Sequence, residues 1–326
     1  MKRFATLVLT TILVAAVGFG LWLVFGDRRL PEAPVLIEVA PGASVSDIAE
    51  QLAQSRVISS PRILALYLRA KNLSETIQAA EYAFPAHLTI PEVATVLAAG
   101  GRPAQVWITV PEGFTAAQIA NRLAQRGLEA APSFLLVSRE TSLKIDRWHT
   151  ASLEGYLYPD TYLVPRHATA QQVAGLMTSE FFRNLPPNAV GLAHKLGFSI
   201  PQIVTIASMV EREAKVDVER SLIAGVIYNR LRLGMPLEID ATIEYALPNH
   251  KQALSFGDLT IESPYNTYKR TGLPPTPIAN PGKKSLLAAF HPAKVDYLYY
   301  VYRGHGRHQF SRTLEEQQAA ERKYLH

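Results

Sequence analysis

PQIVTIASMVEREAKVDVERSLIAGVIYNRLRLGMPLEIDATIEYAL, residues 201–247, holds two helix-forming stretches with a pair of carboxylates between them. Pro201 suits a first helical turn. Ile203, Ala207, Val210 and Ala214, with Ile206 beside them, recur at helical spacing and predict a buried stripe. A second amphipathic helix turns Leu222, Ile223, Val226, Ile227 and Leu231 inward, keeps Asn229 and Arg230 polar, and stops at Gly234 with Pro236 just beyond. Glu211 and Glu213 end the first apolar run. Two residues apart on a helix, they point in different directions and are not a matched acid–base couple. A glutamate raised on an apolar helix is a place where a carboxyl group can stay protonated near neutral pH. A surface glutamate held by Arg212 or Lys215 is the plain alternative.

Upstream, helices are predicted over 170–183, 188–196 and about 115–147. LEGYLYPDTYLVP (153–165) sets Tyr156, Tyr158 and Tyr162 beside Glu154 and Asp160 in a turn-rich segment. Such a loop suits a carbohydrate groove, where rings stack on sugar faces and polar tips bond hydroxyls, and the same tyrosines also suit a core. Downstream, SPYNTYKRTGLPPTPIANPGKKSLLAAFHPAK (263–294) reads as one long irregular loop, a kind of segment that is functional or disordered. Tyr265, Asn266 and Tyr268 argue for order. DYLYYVYRG (296–304) and HQFSRT (308–313) read as a hairpin, followed by a charged final helix over 313–325. His305 and His308 have no third ligand at zinc-site spacing, so no metal is expected.

The first third of the chain carries an internal repeat. VLIEVAPGASVSDIAEQLAQ (35–54) aligns with VWITVPEGFTAAQIANRLAQ (106–125), matching Ile37 to Ile108, Gly42 to Gly113 and Leu52 to Leu123. Each copy reads as a strand, a glycine turn, a Ser or Thr at a helix start, and an apolar helix face. AEYAFPAHLTIPEVATVLAAG (80–100) adds a strand through Tyr82 and Phe84 and a helix from Pro91 to Gly100. A small α+β module over 35–105, preceded by a Pro-containing linker at 27–34, is the expectation. It serves as a spacer or a glycan binder.

Residues 4–26, FATLVLTTILVAAVGFGLWLVFG, contain no charge, a length that crosses a hydrocarbon core of roughly 30 Å. A cleaved signal peptide has a shorter apolar core of about 7–15 residues and a small-residue cleavage site. A retained single-pass anchor is expected, with residues 1–3 cytoplasmic and the rest outside. The chain has 326 residues, 48% hydrophobic and 19% charged, no cysteine and a net charge of +5. The basic balance fits an anionic partner, yet no nucleic-acid motif is present. P-loop, dinucleotide, His-Glu-x-x-His and Gly-x-Ser-x-Gly motifs are also missing. What remains is carboxylate chemistry among tyrosines and asparagines, pointing to a glycosidic bond. Ordinary hydrolysis uses two facing carboxylates; Glu154, Asp240 and Glu244 are candidates for the second. One acid suffices if the sugar supplies its own nucleophile.

ASMVEREA (207–214), VIYNRLRLGMPLEIDATIEYAL (226–247), SPYNTY (263–268), GLPPTPIANPG (272–282), AAFHPA (288–293), HQFS (308–311) and LEGYLYPDTY (153–162) resemble the YceG-like family of endolytic murein transglycosylases. The resemblance implies a mixed α+β catalytic domain over 106–326 behind a LysM-like subdomain at 35–105. It implies an inner-membrane enzyme facing the periplasm. That enzyme would cut nascent peptidoglycan glycan strands between MurNAc and GlcNAc, leaving 1,6-anhydro-MurNAc ends without water or cofactor. The catalytic acid/base maps to Glu211, with Glu213 supporting. Tyr265 and Asn266 look like the substrate-side Tyr-Asn of lytic transglycosylases, so Asn266→Ala is expected to lower turnover without unfolding. Tyr268, Asn229 and Glu154 lie on matching segments. The Glu-Ser pair of lysozyme-like transglycosylases is absent. Cell-wall synthases are candidate partners, and a non-catalytic, membrane-anchored glycan-binding scaffold is the alternative from another class.

Overall fold

The computed structural model describes residues 2–25, 33–102, 104–248 and 254–325, and the fold is mixed α+β. The chain divides into two compact units, Met1–Gln105 with Pro165–His167, and Val106–Val164 with Ala168–His326.

In the first unit Lys2–Phe25 forms one helix, α1. Among the described residues no helix is long and apolar enough to cross a membrane. The spanning expectation over 4–26 rests in part on Gly26 and on side chains at 4–9, 16, 23 and 25, and the linker over 27–34 on residues 27–32; these lie outside the described residues. The module that follows runs β1 (Val35–Val39), α2 (Val45–Gln54), α3 (Pro61–Ala70), β2 (Ala80–Phe84) and α4 (Ile90–Ala99). β1 and β2 are antiparallel, with Val35 opposite Phe84 and Val39 opposite Ala80. Ser44 caps α2 reciprocally with Asp47, which satisfies donors that a helix start leaves open. Ile37, Leu52, Leu64, Leu68, Tyr82, Phe84 and Leu97 close a core of their own.

The second unit opens with the other copy of the repeat, β3 (Gln105–Thr109) and α5 (Ala116–Gln125), capped by Thr115 with Gln118. The two copies share their turn: Gly42 and Gly113 both take left-handed φ, +76° and +78°. α6 (Ala131–Glu140) and the small hairpin β4 (Lys144–Ile145) and β5 (Trp148–His149) follow, then β6 (Thr161–Pro165), which pairs with β3. The helical stretches expected over about 115–147 are two, parted where Gly127 turns left-handed at φ +67°, and they end at Glu140, the hairpin taking the remainder. α7 (Ala170–Asn184) and α8 (Ala189–Leu196) lead to the central pair, α9 (Ile200–Glu213) and α10 (Arg220–Leu233). Ser199 caps α9 with Gln202, and Gly234 ends α10 at φ +67°. Then come α11 (Asp240–Ala246), α12 (Lys283–Phe290), the antiparallel hairpin β7 (Tyr299–Gly304) and β8 (Arg307–Ser311), and α13 (Leu314–Tyr324). α12 lies inside the segment expected to be irregular throughout. The prolines at 274, 275, 277 and 281 hide it, yet Leu286, Ala289 and Phe290 form its buried face.

α9 is the axis of this unit. Ile203, Val204, Ile206, Ala207, Met209 and Val210 are all fully buried, as an apolar run on nearly every face requires. At its last turn α9 becomes charged, and there it presents Glu211, Arg212 and Glu213. Gly155, at φ +91°, lies so close to the loop after α11 that an added Cβ would stand 2.4 Å from Pro277 Cγ.

Candidate active site

The polar end of α9 opens into a cleft of about 690 Å³ in the second unit. Glu211, Arg212 and Glu213 line it, joined by Asp240 and Glu244 of α11 and by His308 of β8. The two glutamates face different partners, as their spacing requires. Glu211 accepts from Arg220 Nη1 at 3.1 Å and from the Gly282 backbone N–H at 3.0 Å. Glu213 accepts from the Tyr300 hydroxyl at 3.1 Å.

Burial pushes the Glu213 carboxyl up to about 7; the Tyr300 hydrogen bond opposes this and the charge of Asp240 adds to it. Tyr300 in turn is held well above its ordinary value by burial and by the Glu213 charge, so it stays a donor. Two neighbouring carboxylates have partners of their own. Arg212 Nη2 donates to Glu244 at 2.7 Å, and the Tyr268 hydroxyl donates to Asp240 at 2.5 Å. Both carboxyl groups are enclosed, the Glu211 side chain being only 6% exposed, and they differ in their partners. Glu211 sits in a salt bridge whose Arg220 also binds Asp217 and Ser285, while Glu213 is shielded with one neutral donor.

Several expected site residues lie elsewhere. Asn266 is fully buried; its amide donates to the Leu259 and Ile261 carbonyls, both at 2.9 Å, and accepts from Tyr268 N at 2.9 Å. It shapes the loop from within and has no capacity left for a sugar. Asn266→Ala is accordingly expected to cost about 2–3 kcal/mol of stability, read as a lowered melting midpoint, rather than to lower turnover in an intact fold. Tyr265 bonds Thr276 through its hydroxyl at 2.7 Å and packs on Tyr245, away from the cleft lining. Asn229 donates to the Val295 and Tyr297 carbonyls at 2.8 and 2.9 Å, fixing the approach to β7. Glu154 is buried and accepts from Ala116 N at the start of α5, from Asn280 and from Tyr245. Burial raises it to about 7 despite those donors, yet it lines a neighbouring cavity, not the cleft around Glu213. Tyr268 reaches the cleft through Asp240.

Glu112 in the cleft and Tyr300 beside Glu213 escape the sequence argument, and His308, weighed there only as a metal ligand, lines the cleft. Glu112 occupies the turn of the second repeat copy, where the first copy has Pro41. It rests on Gly282, whose added Cβ would stand 1.9 Å from Glu112 Oε1; burial and the Glu211 charge raise its carboxyl. Tyr300 lies on a strand rich in tyrosine, with nothing to single it out. His308 bonds Glu219. Among the described residues no group of three or more His, Cys, Asp or Glu side chains could hold a metal ion.

The YceG-like family matches residues 37–323. An endolytic murein transglycosylase of Bacillus subtilis is 34% identical over 89% of this chain and 85% of its own length. One from Streptococcus pneumoniae is 30% identical over 82% of this chain, which spans only 54% of that longer relative. A crystal structure of a YceG-like protein from Listeria monocytogenes superposes with a TM-score of 0.58 at 31% identity, covering 89% of this chain and 99% of that one. The chain belongs to the YceG-like family.

Proposed function

We propose that this chain is an endolytic murein transglycosylase, cutting the β-1,4 bond between MurNAc and GlcNAc in peptidoglycan glycan strands and leaving 1,6-anhydro-MurNAc ends. The name carried by its Bacillus relative supports the reaction class. The observation that carries the mechanism is the Glu213 carboxyl in the cleft, accepting from the neutral Tyr300 hydroxyl at 3.1 Å, where burial raises it to about 7. Protonated Glu213 gives its proton to the leaving oxygen, and as carboxylate it takes the proton of the sugar's own C6 hydroxyl. Tyr300 orients it. Glu211, fixed by Arg220 and Gly282, supplies negative charge near the developing oxocarbenium ion. A non-catalytic scaffold would gain nothing from a desolvated acid. Digestion of glycan strands followed by mass measurement tests this: anhydro ends support it, and products heavier by one water identify a hydrolase.

The acid must be protonated to act, so turnover is expected to fall about tenfold per pH unit above roughly 7. Stability should move in the same direction. Glu213 and Glu154 are raised to about 7 from 4.5, so the stability they contribute is full below 4.5 and is lost as pH climbs to 7. A pH series of rates and melting midpoints checks both.

The module at 35–105 is read as LysM-like and as a weak glycan binder, on its strand–helix plan and separate core. Removing it is expected to weaken sedimentation with wall polymer while leaving the rate of bond cleavage within about threefold. Equal binding would make it a spacer. The uncharged run at 4–26 supports a single-pass inner-membrane anchor with a cytoplasmic N-terminus, a periplasmic catalytic domain and access to cell-wall synthases. N-terminal sequencing of the mature protein tests this; a start near residue 27 refutes it.

A further inference from the structure

The hairpin of β7 and β8 carries a row of rings on one face. Tyr300 pairs across the ladder with Phe310, and Tyr302 with His308. Paired residues, and residues two apart on one strand, share a face. Their rings accordingly meet: Tyr300 lies 5.4 Å from His308 between centroids, Tyr302 lies 5.9 Å from it, and both contacts are edge-on. At Tyr300 this face is closed by α9, because the Tyr300 hydroxyl donates to Glu213. Two positions on, the face is open. Tyr302 lines the cleft with Glu211 and Glu213 and is 49% exposed, while His308 opposite it is buried. The exposed ring is nonetheless tied down. Its hydroxyl accepts the Gly306 N–H at 3.2 Å, across the hairpin turn. That turn rests on the segment after α9, where a Cβ on Gly306 would stand 3.5 Å from Lys215 and Val216 side-chain atoms. A ring fixed at its hydroxyl and backed by a buried ring presents a flat apolar surface that loses little freedom when a ligand lands on it.

We propose that Tyr302 is a stacking platform for a pyranose ring of the glycan strand, next to the sugar whose bond Glu213 cuts. A pyranose exposes C–H groups on its ring faces, and such a face settles on a tyrosine ring. Tyr302 lies about 7 Å along β7 from Tyr300, so it serves a neighbouring sugar and leaves the reacting one to Glu213. Its hydroxyl, already accepting from Gly306, keeps its own proton for a sugar oxygen. The contact is the same in the bound strand and in the transition state, so it contributes to binding and not to bond cleavage. The inference rests on the transglycosylase reading for the identity of the strand.

Three substitutions separate this role from a structural one. Tyr302→Ala is expected to melt within about 2 °C of the wild type, because the ring is half in water. On peptide-free glycan strands it should raise KM about tenfold and change kcat by less than about threefold. Tyr302→Phe keeps the ring and should bring KM back to within about threefold of the wild type. Tyr302→Leu keeps bulk without a flat face and should bind as poorly as Tyr302→Ala. A KM for Tyr302→Ala within about twofold of the wild type overturns the inference, as does a loss confined to kcat or a loss that follows a lowered Tm. Rescue by Tyr302→Leu, or none by Tyr302→Phe, also overturns it. If Tyr302→Ala does not fold, Tyr302→Leu is compared with Tyr302→Phe on the same terms. A wild type that releases no anhydro ends overturns the reaction reading alone. The platform is then read from binding of the same strands to Glu213→Gln with and without Tyr302→Ala. Binding about tenfold weaker in the double variant supports it, and equal binding overturns it.

Discussion

Glu213→Gln is expected to fold with a melting temperature at or above that of the wild type and to lose about 10²- to 10⁴-fold in turnover. The amide keeps the shape and can still accept from Tyr300, but it has no proton to give. It also removes a carboxyl that burial already disfavours in its charged form, so stability at pH 8 should rise slightly. Glu211→Gln should behave differently. It weakens a partly buried ion pair with Arg220, lowering the melting midpoint, and retains measurable turnover. Assaying both variants on the same glycan preparation separates the roles; an inactive Glu211→Gln beside an active Glu213→Gln reverses the assignment.

The largest stability effect is expected at Asn280. Its side chain is completely buried and makes four bonds: Oδ1 accepts from Gly155 N and Leu157 N at 2.9 and 2.8 Å, while Nδ2 donates to the Phe114 carbonyl at 2.8 Å and to Glu154 at 2.9 Å. Its backbone adds two more, to Phe114 and from Gly113. One amide thus ties the turn of the second repeat copy to the loop at 153–157. Asn280→Ala strands two buried N–H groups and removes a donor from Glu154, so a loss of about 4 kcal/mol, or on the order of 10 °C in melting temperature, is expected. Asn280→Asp, which keeps the two accepting contacts but sets a second carboxylate beside Glu154, should be nearly as damaging. A melting midpoint within about 2 °C of wild type would show that water replaces the amide.

These residues also show what the sequence could disclose. Apolar periodicity located α9 and α10, Gly234 ended the second of them, and the alignment of 35–54 with 106–125 gave two strand–turn–helix units with their Ser44 and Thr115 caps. All of these depend on neighbours in the chain. The spacing of Glu211 and Glu213 also told correctly that they face apart. Which of them meets a cation and which a neutral donor depends on residues far away: Arg220 and Gly282 reach one, Tyr300 reaches the other, and no local pattern encodes that choice. Asn266 misled for a related reason. Its motif is distinctive, and a distinctive asparagine is as useful for holding a proline-rich loop as for holding a sugar. α12 was hidden because the prolines before it outweighed eight residues of amphipathic pattern.

The account stands on one carboxyl group remaining partly protonated at neutral pH. Carboxyl carbon titration by NMR of glutamate-labelled protein, with the Glu213 signal assigned by its loss in Glu213→Gln, reads that directly. A midpoint near 7 is the predicted result. A midpoint near the ordinary 4.5 would contradict the assignment of Glu213 as the acid.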